Sequence, residues 1–436
     1  MLSWLNNDRL EKWMQVLWGL VLFTMPVTSF RWLPNVMGTT HVRPMAFYPL
    51  ALLVPILFFY LWKNKAFRWP PATAPLLGFL LAAAISTVVG GLHAPLDLRG
   101  QTYWGWAFRA WLSLGIGMGF FWVSVLLSRS EEMLRRTLPW LYAGLGLTIV
   151  WGIIQAVALH TSLLNIDWVN KVQLLFSIRR VVDNRISGFA YEPSWLADQI
   201  TIFYVPWLFA ALVTRVRITK YRWLEPALLF GALVVLLLTY SRSGVIGLLF
   251  SVTVALLTVG RGLLVSIWSW FWGPLVSPEL PGRWYRLLIL LVIIGMLAGA
   301  FWWLNQFDYF ANIWRADMSQ GLVEYVKDIA AGPRLAYIDA GIRIFNLHPW
   351  LGVGLGGSSF YLFDYLPHGA LTDPYEIALQ FSPDSNVIPN VRNLIVRLLS
   401  ALSTLTAPVI WTTLGMIVGY ALHVTDSPEL ENGTKE

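Results

Sequence analysis

Two arginines stand in short polar segments between apolar runs, where their type suits binding of an anionic carrier. Arg242 lies in TYSRSG, between two apolar runs too close together for an ordinary loop, and Arg185 lies in NRISGFAYEPSW. A guanidinium group binds phosphate through two parallel hydrogen bonds, and a charge beside hydrocarbon usually marks a function. The pair therefore predicts an anion site. The alternatives are a helix-end arginine reaching lipid headgroups for Arg242 and an ordinary loop charge for Arg185.

A histidine and three charged neighbours are the candidates for proton transfer. His348 is the last residue of the predicted helix RLAYIDAGIRIFNLH, which follows Gly332-Pro333 and should end before Pro349. Its ordinary pKa of about 6.5 suits a general base, although a purely structural histidine is the alternative. Glu192 is placed to balance an arginine or act as a base. Asp339 and Arg343, four residues apart on the helix, are expected to pair, and Arg343 would oppose a positive charge on His348.

Gly352, Gly354 and Gly357 satisfy the pattern G-x-G-x-x-G in the stretch HPWLGVGLGG. A dinucleotide-binding turn needs a strand before these glycines, whereas a predicted helix precedes them here. A tight turn with positive φ and a site loop that lets backbone approach a ligand both stay open. No cysteine, D-x-D, G-x-S-x-G or Walker motif occurs, and no spacing of His, Asp and Glu fits a metal site. We therefore expect neither a metal nor another cofactor.

The composition indicates which elements must position these side chains. Of the 436 residues, 57% are hydrophobic and 13% are charged, whereas an average soluble domain has about 25% charged residues. The fold class expected is an all-α, polytopic integral membrane protein. The net charge of +7 fits the Lys and Arg of cytoplasmic loops, so we do not expect a nucleic-acid partner.

The apolar runs predict about 11–12 transmembrane helices in a single membrane domain, residues 1–436, with a long, partly helical periplasmic loop at 306–386. Basic loops place the N-terminus in the cytoplasm and put Arg185, Arg242 and His348 at the periplasmic face. The segment 263–275 is expected to lie in the membrane interface. The candidate spans are 13–30, 45–62, 73–92, 105–128, 138–159, 195–214, 224–240, 243–259, 286–305, 387–404 and 407–424.

The polar segments also carry a family resemblance. RISGFAYEPSW, TYSRSG and RLAYIDAGIRIFNLHPWLGVGLGG, followed by a closing apolar pair, resemble the O-antigen ligase/polymerase superfamily of bacterial inner-membrane, GT-C-like glycosyltransferases. The resemblance spans roughly residues 180–425, and HPWLGVGLGG is its most specific part.

The resemblance implies a function and a role for each residue. The enzyme would move or polymerise a glycan from undecaprenyl diphosphate onto a sugar hydroxyl, without metal or nucleotide. The acceptor would be another glycan or lipid A-core. Arg185 and Arg242 would bind the diphosphate and His348 would activate the hydroxyl, supported by Glu192, Asp339 and Arg343. Two alternatives remain open, a transporter or flippase of lipid-linked sugars and a non-catalytic membrane scaffold.

Overall fold

The computed structural model of the chain describes the helices and most of the short connections between them. Described are residues 7–33, 42–65, 73–95, 97–129, 131–181, 184–213, 217–258, 280–306, 308–315, 332–366 and 408–426, with isolated positions between 262 and 325. Helix dominates these residues, and the expected class is confirmed, because the chain is an all-α, polytopic membrane protein.

The regular elements follow one another with short connections. They are α1 (Asn7–Thr24), α2 (Phe47–Lys63), α3 (Thr73–His93), β1 (Asp97–Leu98), β2 (Gln101–Thr102), α4 (Tyr103–Leu127), α5 (Glu131–His160), α6 (Ile166–Phe176), α7 (Pro193–Gln199), a π-helix (Ile200–Tyr204), α8 (Val205–Val213), α9 (Leu224–Leu238), α10 (Arg242–Thr258), α11 (Leu280–Leu304), α12 (Asp308–Arg315), α13 (Gly332–Leu347), a 3-10 helix (Gly357–Phe360), α14 (Leu362–Tyr365) and α15 (Pro408–Asp426).

Five described helices are long and apolar enough to cross a membrane, judged by length and composition. They run over Thr73–His93, Tyr103–Leu127, Glu131–His160, Pro193–Leu212 and Trp284–Leu304. Shorter apolar helices cover Phe47–Lys63, Leu224–Leu238, Arg242–Val254 and Pro408–Ala421. Most predicted spans therefore coincide with a helix. The span at 387–404 and most of the interface segment 263–275 lie outside the described residues, and the total of 11–12 stays a prediction.

The first predicted span, 13–30, extends beyond the end of its helix. Helix α1 stops at Thr24, whereas the apolar run continued to residue 30. Pro26 disfavours helix in the residue before it. Beyond it the backbone pairs with a later segment, since Phe30 N donates to Arg43 O at 2.6 Å and Arg43 N donates to Thr28 O at 2.7 Å. The end of this apolar run is therefore a short extended segment.

Small residues allow two of the helices to pack closely. Gly415 and Gly419 of α15 face α4, where an added Cβ would lie 2.5 Å from Phe121 O and 2.5 Å from Val125 O. This G-x-x-x-G spacing is typical of close helix contacts in membranes, because only glycine lets the backbones approach so far. Helix α15 is thereby held against α4.

The chain divides into two compact units. The first comprises Met1–Thr239 together with Pro333–Glu436, and the second comprises Tyr240–Gly332. Arg185, Glu192 and His348 belong to the first unit, and Arg242 belongs to the second. The prediction of a single membrane domain stays a prediction.

Candidate functional site

His348 lies directly after the C-terminal end of α13, which stops at Leu347, one residue earlier than predicted. Its backbone N lies 3.1 Å from both Ile344 O and Phe345 O, so it closes the last turn of the helix. The imidazole ring meets the ring of Tyr361 edge to face, with 5.6 Å between the ring centroids. His348 is half-buried, while Tyr361 is buried at 8% exposure. The base candidate therefore stands partly open to its surroundings, with one side supported by an aromatic ring.

Tyr361 was not predicted from the sequence. Its hydroxyl is buried and makes no hydrogen bond within the part of the chain that the structure describes. Burial raises the pKa of this hydroxyl, and the nearby Tyr365 raises it further. The group therefore keeps its proton at neutral pH.

The glycine-rich loop after His348 packs on two membrane helices. Gly354 N donates to Ser86 Oγ at 3.1 Å and Leu355 N donates to Thr87 Oγ1 at 3.2 Å, both on α3. The Tyr103 hydroxyl, on α4, lies 3.0 Å from the carbonyl oxygens of both Thr87 and Val353. These contacts show a tight, protein-bound turn that follows a helix, whereas a dinucleotide-binding turn would follow a strand.

Two glycines of the G-x-G-x-x-G pattern adopt backbone angles that few other residues allow. Gly352 has φ of 65° and Gly354 has φ of 84°, a region that side-chain-bearing residues rarely adopt. A Cβ on Gly354 would also lie 2.9 Å from the Thr87 Cα. The tight-turn interpretation is therefore supported, and the close approach that these glycines permit is to α3 and α4.

Helix α13 also carries the predicted ion pair. Arg343 Nη2 lies 2.9 Å from Asp339 Oδ2, with both side chains about half exposed. Arg343 therefore has a compensating anion one turn earlier, which reduces the repulsion that it would otherwise exert on a charged His348.

Arg185 connects its loop to the end of α9. Its Nε donates to Thr239 O at 2.9 Å, and the next residue, Ile186, donates from N to Leu238 O at 3.4 Å. Arg185 is half-buried, and Asn184 before it has φ of 58°. The loop is thus bound to Leu238 and to Thr239, the first residue of the TYSRSG segment.

A buried glutamine of α5 holds the residues after Arg185. Gln155 Oε1 accepts from Ser187 N at 3.1 Å and from Gly188 N at 2.8 Å, while its Nε2 donates to Gly188 O at 3.0 Å. Gln155 is fully buried. Its Nε2 also lies 3.0 Å from Oε1 of Gln173, to which Trp151 Nε1 donates at 2.7 Å. Gln155 therefore fixes the arginine loop, a role that the sequence pattern did not reveal.

Glu192 balances an arginine, but not one of the two predicted for the site. Its Oε1 pairs with Arg179 Nη1 at 3.0 Å, and both side chains are a little over one third exposed. The Arg179 guanidinium also lies 5.1 Å from the ring centroid of Tyr191. Thirteen residues separate the two charges, so no helical or strand periodicity could have predicted the pair.

Arg242 is the first residue of α10. Tyr240, two residues earlier, has φ of 48°, which turns the chain sharply. Ser241 Oγ then accepts from Gly244 N at 3.3 Å and caps the new helix. The positive end of a helix dipole disfavours a cation and attracts an anion. The half-buried arginine and the N-terminal end of the helix therefore both favour an anionic ligand.

No cluster of three or more His, Asp or Glu side chains suited to a metal occurs within the described ranges. The expectation of a metal-free site stays a prediction.

Comparison with known protein families finds a match over the segment that carries Arg242 and His348. Residues 227–388 match the family model described as O-antigen ligase. Over these residues the chain is similar to the O-antigen ligase family. The resemblance to the O-antigen ligase/polymerase superfamily is thereby confirmed. Searches of curated proteins and of solved structures give no match.

The O-antigen ligase segment contains only part of the predicted site. Arg242, Asp339, Arg343 and His348 lie inside it, whereas Arg185 and its loop precede it. The apolar helices indicate a multi-pass membrane protein, and the family match supports O-antigen ligase or polymerase-type activity in general. The convergence of Arg185, Arg242 and His348 on one cavity stays a prediction, because Arg242 belongs to the second unit.

Proposed function

We propose that the protein is a metal-independent glycosyltransferase of the bacterial inner membrane, acting at the periplasmic face. It would transfer a glycan from undecaprenyl diphosphate to a sugar hydroxyl on another glycan or on lipid A-core. The observation that carries the proposal is the O-antigen ligase match, which includes both Arg242 and His348.

Chain connectivity supports a joint role for the two arginines. Arg185 is hydrogen-bonded to Thr239 O, and Arg242 follows Thr239 by three residues. Three peptide units of about 3.8 Å each keep the Cα atoms of Thr239 and Arg242 within roughly 11 Å of one another, whatever the packing of the two units. Each guanidinium group suits a phosphate of the diphosphate.

The arginines would act on the leaving group. The acceptor oxygen attacks the anomeric carbon, and the bond from that carbon to the diphosphate oxygen breaks with its electron pair. Negative charge then grows on the diphosphate. Guanidinium groups fixed beforehand at this position lower the barrier without rearranging during the reaction. The N-terminus of α10, which begins at Arg242, adds partial positive charge.

His348 would take the proton of the attacking hydroxyl. Its place between the end of α13 and the Tyr361 ring fixes the imidazole. A base must be neutral before the step, and the proton that it gains matches the negative charge that appears on the diphosphate. Direct attack from the face opposite the leaving group inverts the anomeric configuration.

The proposal is tested with purified protein and a defined undecaprenyl-diphosphate oligosaccharide. Products are followed with and without lipid A-core, and with and without EDTA. The variant His348→Ala is compared with Asn346→Ala, an exposed residue at the same helix end. We expect product from wild type and from Asn346→Ala, unchanged by EDTA, and none from His348→Ala.

The products also define the reaction. Glycan on lipid A-core would identify a ligase, and longer lipid-linked chains would identify a polymerase. Loss of product on chelation would contradict metal independence. Absence of product with both acceptors, together with identical behaviour of wild type and His348→Ala, would contradict glycosyl transfer and favour the transporter.

A further inference from the structure

Exposed apolar side chains on either side of His348 in the chain form a surface here called the outer apolar face. It consists of Phe345, Leu347, Trp350 and Leu351, whose exposed fractions are 54%, 53%, 94% and 44%. The buried side of α13 is formed instead by Ala336, Tyr337, Ala340 and Ile344. Contiguous exposed apolar residues of this kind mark a surface that meets another apolar phase.

The loop that carries this face is bound at membrane depth. Ser86 Oγ donates to Leu351 O and accepts from Gly354 N, so the loop backbone lies against Ser86 of α3. Helix α3 has 21 residues, about 30 Å at 1.5 Å per residue, which matches the hydrocarbon thickness. Ser86 precedes its last residue, His93, by seven positions, or about 10 Å.

Polar side chains satisfy the irregular backbone at this depth. Non-helical segments inside a membrane are tolerated only where their polar groups find partners in the protein. The Ser86 and Thr87 hydroxyls and that of Tyr103 provide such partners for Leu351, Val353, Gly354 and Leu355. This arrangement is the one expected of a loop that enters the bilayer from its surface.

The outer apolar face continues the lipid-facing surface of α3. Leu81, Val88 and Leu92 of that helix are 65%, 54% and 74% exposed. Trp350 immediately precedes Leu351, whose carbonyl is bound to Ser86. A side chain exposed at this position and depth meets lipid in a membrane-embedded protein.

We propose that the outer apolar face docks on bilayer lipid, with the Trp350 ring reaching from the loop toward the boundary between the headgroups and the acyl chains. Tryptophan favours this boundary, because its ring is apolar and its N–H still requires a polar partner. The docking would hold His348, two residues away, at the membrane surface. If the proposed function is correct, the diphosphate of a lipid-linked donor lies at that same level.

Single-cysteine labelling tests the docking, since the chain contains no cysteine. Trp350→Cys, Leu81→Cys near the middle of α3, and Asp97→Cys in the hairpin beyond α3 would each carry an environment-sensitive fluorophore. The proteins are reconstituted in phosphatidylethanolamine and phosphatidylglycerol vesicles. Quenching is measured with aqueous iodide and with nitroxide lipids labelled either near the headgroup or near the bilayer centre.

The label at 350 should lose most of its fluorescence with the shallow nitroxide lipid and less with either iodide or the deep nitroxide. The label at 97 should respond to iodide and the label at 81 to the deep nitroxide. A label at 350 that behaves like either of these two controls overturns the proposal. The result is independent of catalysis, so it separates failure of the docking from failure of the proposed function.

Discussion

At the scale of single residues, each predicted side chain has neighbours that suit its proposed role. His348 has the Tyr361 ring, Arg185 has the Thr239 carbonyl, and Arg242 stands at a capped helix start. The residue types were informative because guanidinium and imidazole groups have few structural uses beside apolar helices. The supporting residues Gln155, Tyr361 and Arg179 belong to no motif. They do not stand at a helical or strand spacing from the Arg185 loop, His348 and Glu192, which they respectively contact.

Replacement of Arg242 by lysine should impair transfer although the charge is kept. Lysine lacks the planar fork that forms two parallel hydrogen bonds to phosphate. Loss of one preorganised donor to a growing anion lowers kcat by about 10²-fold or more. Initial rates of Arg242→Lys are compared with those of Arg222→Lys, an exposed arginine before α9. Equal, full activity of the two variants would remove Arg242 from the diphosphate role.

Replacement of Gln155 by leucine should disturb the Arg185 loop without touching substrate. The change leaves Ser187 N and Gly188 N buried without their acceptor, which costs about 1–3 kcal/mol for each group. Gln155→Glu keeps an acceptor oxygen for both amides but loses the Nε2 donor to Gly188 O, so comparison with Gln155→Leu separates the two contacts. The measurements are thermal unfolding in detergent and the KM for the donor.

The control for this prediction is Gln306→Leu, an exposed glutamine after α11. A purely structural role for Gln155 would lower stability alone. An unchanged KM for the donor in folded Gln155→Leu would therefore contradict a role in positioning Arg185.

At the scale of elements, the helices were predictable where local signals agree. Helix α13 begins with Gly332-Pro333 and ends before Pro349, as the two prolines require. Its exposed side was less predictable, because Ile342 and Phe345 face outward while small alanines pack inward.

Helix α6 escaped prediction, since it is a short helix of 11 residues that buries only Val169 and Gln173. The partners of the glycine loop lie more than 200 residues earlier in the chain.

Replacement of Gly354 by alanine should destabilise the turn after His348. The residue has φ of 84° and an added Cβ would approach the Tyr103 hydroxyl and the Thr87 backbone. Strain and overpacking together should lower the free energy of unfolding by roughly 2–4 kcal/mol. Thermal unfolding and transfer activity measure the effect.

Gly247→Ala is the matched control, since this glycine lies in α10 with no atom within 4 Å of an added Cβ. It should be neutral or slightly stabilising, because alanine is the better helix former. A Gly354→Ala variant as stable and active as Gly247→Ala would show that the turn does not need glycine.

At the scale of the whole molecule, charge distribution predicts the orientation. Arg135, Arg136 and Arg222 should lie in the cytoplasm, and the hairpin near Asp97 should lie in the periplasm. Single cysteines at 222 and 97 are treated in spheroplasts with a membrane-impermeant maleimide. We expect labelling at 97 alone, and at both positions after lysis. Labelling at 222 in intact spheroplasts would reverse the orientation and place the site on the cytoplasmic face.

The central claim is that a glycosyl bond to undecaprenyl diphosphate is broken as the glycan is transferred. The most direct measurement counts the undecaprenyl diphosphate released for each glycan joined to an acceptor, in vesicles that contain wild-type protein or His348→Ala. The account predicts one molecule released per transfer with wild type and neither product with His348→Ala. Movement of the intact lipid-linked glycan across the bilayer, with no undecaprenyl diphosphate released, would contradict it and identify a transporter.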